Sequence, residues 1–330
     1  MPSFLLLALA GLAGQLIDGA LGMAFGLTST TVLLTVGVAP AAASAGTHLA
    51  EIGTTLASGL SHSAFGNIDW TKIAWLAVPG SVAAFAGATF LTSLPASTAA
   101  PVVAVILFGL GAYILFRFVF LRSGAVRVRR VRRRFLVPLA AVAGFMDAVG
   151  GGGWGPIGSS MLLASGRMEP RKVVGTMAAA EFVVTLGASA GFLVGLSASE
   201  IPFKIVAALL VGGVAGAPLA AWVVRLLPAR AMGTLVGGII LLTNARTFLD
   251  AVGLGQAAAA PFYIVLAVVW IAALIVVGRA IRRERSAGQG DGDLQVVRGT
   301  GAARDPETVQ DGQDGADGAD AEEPLPLPQS

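Results

Sequence analysis

Residues 18–31 read DGALGMAFGLTSTT and residues 147–160 read DAVGGGGWGPIGSS. Each stretch lies inside a long apolar segment. Asp18, Gly22 and Gly26 recur as Asp147, Gly151 and Gly155 at a constant offset of 129. Pro40, Glu51 and Thr55 then recur as Pro170, Glu181 and Thr185 at an offset of 130, so one inserted residue reconciles the two frames. The membrane-embedded part is therefore written twice. Glycine costs about 1 kcal/mol in a helix interior, and Gly150 to Gly153 are four in succession. Each copy predicts a helix that breaks at mid-depth beside a carboxylate. Paired interrupted helices in corresponding positions of two halves point to a transporter's binding site.

The composition agrees with a membrane setting. Hydrophobic residues make up 55% of the 330 positions and charged residues 12%, about half the ~25% charge share of a globular domain. Charge is uneven: 20 Lys/Arg and 9 Asp/Glu precede Ser286, against 2 and 10 from there on. The basic excess describes short loops and implies no nucleic-acid partner. With no cysteine, disulfides and thiolate metal sites are excluded. Two histidines supply no recognisable metal set, and neither metal nor cofactor is expected. No basic residue precedes the first apolar run, so no cleavable signal peptide is expected.

Apolar segments fall at 3–36, 41–62, 71–92, 98–121, 135–165, 171–195, 201–224, 229–249 and 260–281. Most match the ~20 residues of a spanning helix, whereas the first and fifth are too long for a core of about 30 Å. The Arg122–Arg134 loop and Arg279, Arg282, Arg283 and Arg285 should both be cytoplasmic. Five ordinary spans between them would separate them, and making 135–165 a re-entrant hairpin removes the conflict. The same logic makes 3–36 a hairpin entering from the other side. Broken backbone at mid-depth must be buried against protein or line an aqueous cavity, which two hairpins meeting at the centre would satisfy.

The expected fold is an all-α polytopic membrane protein of two inverted repeats. Each repeat is a glycine-broken re-entrant hairpin plus three spanning helices, and one extra span follows. The boundaries are residues 1–121 for the first repeat, 122–134 for the basic loop and 135–250 for the second repeat. Residues 251–285 form the final span. Residues 286–330, rich in Gly, Asp and Pro, form an acidic cytoplasmic tail expected to be disordered. The expected location is the plasma membrane, as a multi-pass protein of a bacterial inner membrane.

Gly155-Pro156 reads as a helix start, since proline suits the first helical position. Ser159 and Ser160 follow it, and Thr28, Ser29 and Thr30 occupy the matching place in the first half. Free N–H groups and the positive dipole end of a helix start attract anions. Small residues there could instead serve close helix packing. The duplication and the loop parity favour an anion site of Gly22, Gly26, Thr28, Ser29, Thr30, Gly152, Gly155, Ser159 and Ser160. Thr47, His48, Glu51, Thr55 and Ser58 share one helical face, adding Thr47 and His48 to that site. Glu51 and Glu181 are intramembrane carboxylates, functional by default, suited either to proton coupling or to a structural hydrogen bond. Asp18 and Asp147 close the first half-helix of each hairpin, where they oppose the dipole and can accept hydrogen bonds from the broken backbone. Trp70, Trp75 and Tyr263 read as interface anchors, and the Arg122–Arg134 cluster as topogenic first and as an anionic-lipid contact second.

The repeated break, the span holding Glu51, and Ser61-His62 followed by Gly66-Asn67-Ile68-Asp69-Trp70 resemble the TauE/SafE sulfite exporter family, also called the toluene sulfonate uptake permeases. The resemblance covers roughly residues 5–280. Only the second half keeps the family's tight glycine run and following proline. The resemblance implies a secondary transporter, most simply an exporter, of sulfite, a sulfonate or another small organosulfur or carboxylate anion. Protons are a candidate coupling ion, membrane lipids are partners, and a homo-oligomer is compatible with the fold. No Walker-type loop is present to supply nucleotide energy. An intramembrane enzyme is the alternative, but no Gly-x-Ser-x-Gly elbow appears and the residues predict no enzyme. A non-transporting membrane scaffold acting through the acidic tail is the third reading.

Overall fold

A computed structural model describes residues 3–21, 23–120, 131–165, 167–197, 199–223, 229–251, 254 and 256–301. Every regular element among these residues is helical. The first half holds α1 (Phe4–Leu21), α2 (Phe25–Thr35), α3 (Pro40–Ala64), α4 (Trp70–Ser93) and α5 (Ala96–Phe120). The second holds α6 (Arg133–Gly150), a wide π-type stretch (Trp154–Ser159) continuing as α7 (Ser160–Ala164), then α8 (Pro170–Gly195), α9 (Phe203–Val223) and α10 (Ala229–Ala251). A final helix, α11, covers Gln256–Gly301.

The duplication in the sequence is a duplication of elements. Residues 4–21 and 25–35 recur at an offset of 129 as 133–150 and 154–164, and the prolines that open α3 and α8 are 130 apart. Both prolines sit in the first helical turn, where a missing N–H costs nothing. Asp69 caps α4 by accepting from the Thr71 amide at 3.1 Å. The breaks expected within 3–36 and 135–165 fall between Leu21 and Phe25 and between Gly150 and Trp154.

Packing crosses between the halves with a reciprocal pattern. α1 lies along α9 and α6 lies along α4, while α3 packs on its counterpart α8 and α5 on α10. Glycines let these backbones approach: a side chain on Gly144 of α6 would overlap the Gly80 carbonyl of α4, and one on Gly212 of α9 would overlap the Ala8 carbonyl of α1. The main core runs through Leu76 and Leu91 of α4, Leu107 of α5, Leu136 of α6, Trp154, and Phe192 of α8.

α4, α5, α8 and the apolar part of α11 are long and apolar enough to cross a membrane, and α1, α2, α9 and α10 contain shorter apolar stretches. Val78, Val82, Val211, Val214, Ile264 and Val268 stay exposed, as residues facing lipid would. Helices up to Ile281 belong to one compact unit; from Arg282 a second unit begins. Helix α11 continues through Arg285 to Gly301. Good helix formers around Ala280–Arg285 carry the helix beyond the apolar span. The rest of the expected disordered tail, and Arg122, Arg127, Arg129 and Arg130 of the basic loop, lie outside the described residues.

Candidate functional site

The second break is built by one carboxylate. Gly151 closes α6 with φ 70°, a left-handed conformation that glycine adopts without steric cost. The Asp147 carbonyl accepts from the Gly152 amide at 3.1 Å. Its carboxylate Oδ1 accepts from the amides of Gly153 at 2.6 Å and Trp154 at 2.9 Å. These bonds satisfy donors that the interrupted helix would otherwise bury unpaired. Trp154 is buried and donates its Nε1–H to the Met177 carbonyl at 3.1 Å. In the first break Asp18 hydrogen-bonds the backbone of Phe25, seven residues on, as Trp154 is from Asp147. Asp147 thus accepts hydrogen bonds from the backbone of its own break.

The two breaks meet. A methyl group on Gly26 would stand 2.5 Å from the Gly151 carbonyl and 2.9 Å from the Gly152 Cα, and one on Gly152 would overlap the backbone of Gly26 and Leu27. Only glycine allows that approach. The Thr30 hydroxyl bonds the Gly151 carbonyl and the Thr47 hydroxyl, 3.1 Å each. Glu51 reaches the same point, its Oε1 2.9 Å from where a Gly26 methyl would be.

His48 ties α3 to the second break. Its Nε2 lies 3.2 Å from Asp147 Oδ2, and its Nδ1 lies 2.9 Å from the Ser44 carbonyl. The Ser44 hydroxyl donates to the Ala148 carbonyl at 2.6 Å. A carbonyl only accepts, and so does an ionised carboxylate. Both contacts are hydrogen bonds only if His48 carries two protons or Asp147 carries one. Both side chains of the pair are buried. One ligand atom from each of His48, Glu51 and Asp147 falls within 4.8 Å of the others, so the trio can pass a proton or offer N and O atoms to a cation.

The residues predicted from sequence divide into three groups. Gly26, Thr30, Thr47, His48, Glu51, Asp147 and Gly152 converge where the breaks meet. Gly155, Ser159 and Ser160 are buried on the second half-helix, and the Ser160 hydroxyl accepts from Arg117 Nη1 at 2.5 Å. Thr28 faces elsewhere, lining an apolar groove of about 430 Å³ between α1, α2 and α10. Its hydroxyl and the fully buried one of Ser29 have no hydrogen-bond partner among the described residues. Gly22 lies outside the described residues. Thr55, on the same helical face as Glu51, donates to the Glu51 backbone carbonyl at 2.6 Å. Glu181 is half-buried on α8 and is not a member of the trio.

Arg117 is the residue the sequence reading passed over. It lies in α5, half-buried, and also reaches Met23 Sδ in the first break at 3.3 Å. No carboxylate lies within ion-pairing distance of it among the described residues. The signal was available: it is the one arginine inside the apolar stretch 98–121, where a charge is costly unless used.

The chain belongs to the sulfite exporter TauE/SafE family, whose model matches residues 6–247. It is also 44% identical over 279 residues to the probable membrane transporter protein YtnM of Bacillus subtilis (strain 168), covering 84% of this chain and 93% of that protein. No solved structure matches it. The family and this relative identify a multi-pass membrane transporter rather than an enzyme.

Proposed function

We propose that this transporter exports a small anion, of the sulfite, sulfonate or short carboxylate kind, by alternating access around its two broken helices, and that proton movement drives it. The observation that carries this reading is the meeting of the breaks at Gly26 and Gly152 with the His48–Asp147 pair and Glu51 against them. The restarting half-helices bring their positive dipole ends to the centre of a membrane protein, where such ends recognise anions. His48 and Asp147 in contact, with Glu51 beside them, supply buried titratable groups that can exchange a proton with a gradient. Arg117, bonded to both halves through Met23 and Ser160, adds a positive charge that a bound anion would balance.

Alternating access is then a movement of the α1–α2 and α6–α7 hairpins against the α3–α8 pair. The halves are read as inverted, with the hairpins entering from opposite faces. The basic loop and the C-terminus would both be cytoplasmic. Single cysteines at Ser123 and Ser286, added to this cysteine-free chain, should react with an impermeant thiol reagent from one side only; labelling from opposite sides overturns the topology.

Flux through purified protein in liposomes, across a panel of sulfite, sulfonates, sulfate and short carboxylates with and without a pH gradient, tests the function. Glu51→Gln keeps shape and hydrogen bonding but removes a titrating proton. It should abolish flux driven by a pH gradient while leaving anion exchange, with Glu181→Gln milder. Normal pH dependence in the Glu51→Gln protein would make Glu51 a structural acid.

A further inference from the structure

A second charged site lies at one end of the helices, away from the breaks. A cavity of about 1140 Å³ opens among the starts of α4 and α6 and the connection between α7 and α8. Arg132, Arg133 and Arg134 line it from α6, Arg167 from the connection and Lys72 from α4. Lys72 is compensated by Asp69 at 3.4 Å. The four arginines have no carboxylate within ion-pairing distance among the described residues.

The position of these arginines is electrostatically adverse. Arg132 is the residue that caps α6 and Arg133 and Arg134 begin its first turn, which holds no acidic residue and no side-chain cap. A helix start carries the positive end of the dipole and free N–H groups, and it favours anions over cations. Three arginines there, joined by Arg167 from a separate segment, repel one another and the helix end unless an anion sits among them. Two are held in place by aromatic rings: Arg133 stacks over Trp75 at 5.7 Å and Arg167 over Phe135 at 5.5 Å. Trp75 is 43% exposed, as an anchor at the boundary between lipid and water would be.

We infer that this cavity binds the phosphate of an anionic membrane lipid, the headgroup clamped by Arg133 and Arg167 against the start of α6. Guanidinium groups match phosphate oxygens in pairs, and basic pockets between membrane helices on the cytoplasmic side take anionic headgroups. The aromatic residues beside the arginines favour a lipid over free phosphate, because they place the site where acyl chains begin. Occupancy would fasten α4, α6 and the α7–α8 connection together at the root of the second hairpin. The assignment does not depend on which anion is transported.

The test uses the full chain, purified in a neutral detergent, with lipid retention read by native mass spectrometry. Phosphatidylglycerol should be retained in preference to phosphatidylcholine, and raising salt should weaken that preference. Arg133→Gln with Arg167→Gln should reduce it roughly 25-fold, at about fivefold for each basic residue near an anionic headgroup. Arg133→Lys with Arg167→Lys, which keeps the charge, should lose much less. Thermal unfolding and thiol accessibility confirm that each variant is folded with unchanged topology. If the glutamine pair does not fold, the salt series on the parent protein decides. Equal retention of both lipids, or retention indifferent to salt, overturns the site. Displacement of phosphatidylglycerol by millimolar inorganic phosphate overturns the lipid as its source.

Discussion

The first and second breaks stand at equivalent places but turn the chain at different residues. The second places Gly151 at φ 70° and follows it with two more glycines, so its backbone turns at little cost. The first places Ala24 at φ 114°, a region costing an alanine on the order of 1–3 kcal/mol. The aspartates differ in the same sense. Asp147 bonds two amides of its own break with one oxygen and His48 of the other half with the second. Asp18 has the amide contact, but the position equivalent to His48 is Ala178. Duplication has kept the break and its aspartate in both halves, while the histidine contact sits in one. The second break is the relaxed, chemically loaded member and the first is the strained partner packed against it.

The most damaging way to break this comparison is to push the two breaks apart. Gly152→Val sets a branched side chain into the backbone of Gly26 and Leu27, and transport should disappear while the protein still inserts. Normal anion flux in that variant would detach function from the contact between the breaks. Next comes the pair of aspartates. Asp147→Ala removes an acceptor with three buried partners and should cost about 3–5 kcal/mol of stability, the scale for breaking a buried charged pair. Asp18→Ala should cost about 1.5–3 kcal/mol, the scale of one hydrogen bond to a charged group. Thermal unfolding in one detergent compares them, and equal losses would erase the asymmetry. The smallest effect sharpens the comparison. Ala24→Gly should raise stability by about 1 kcal/mol by relieving the left-handed alanine, seen as a higher unfolding temperature, whereas Gly151→Ala should lower it.

Much of this was legible in the sequence because duplication makes position informative. Nothing local in Leu21 to Phe25 demands a break; the offset to Gly150–Trp154 does. The meeting of the breaks followed from the need to bury broken backbone. Individual bonds were not legible. The seven-residue reach from each aspartate to the restarting helix depends on the path of the broken chain. Thr55 shares a helical face with Glu51, yet a hydroxyl in a helix can bond the carbonyl one turn back, and it does so here. Arg117 was passed over because an arginine three residues from the end of α5 reads as an ordinary terminal cation. Its contacts with Met23 and Ser160 depend on how the two halves come together.

That reciprocal packing also bears on how the protein is made. α1 finds its main neighbour in α9, roughly two hundred residues later in the chain. A chain emerging from the ribosome releases its N-terminal segments first. The first broken helix, with Asp18 and an unfilled packing face, must therefore wait in the membrane until residues 203–223 arrive. Until then it is the part of the nascent protein most exposed to quality-control proteases and most in need of a membrane chaperone. Truncations that end before α9 should leave chains that enter the membrane yet are degraded there, and co-expressing the missing half should rescue them.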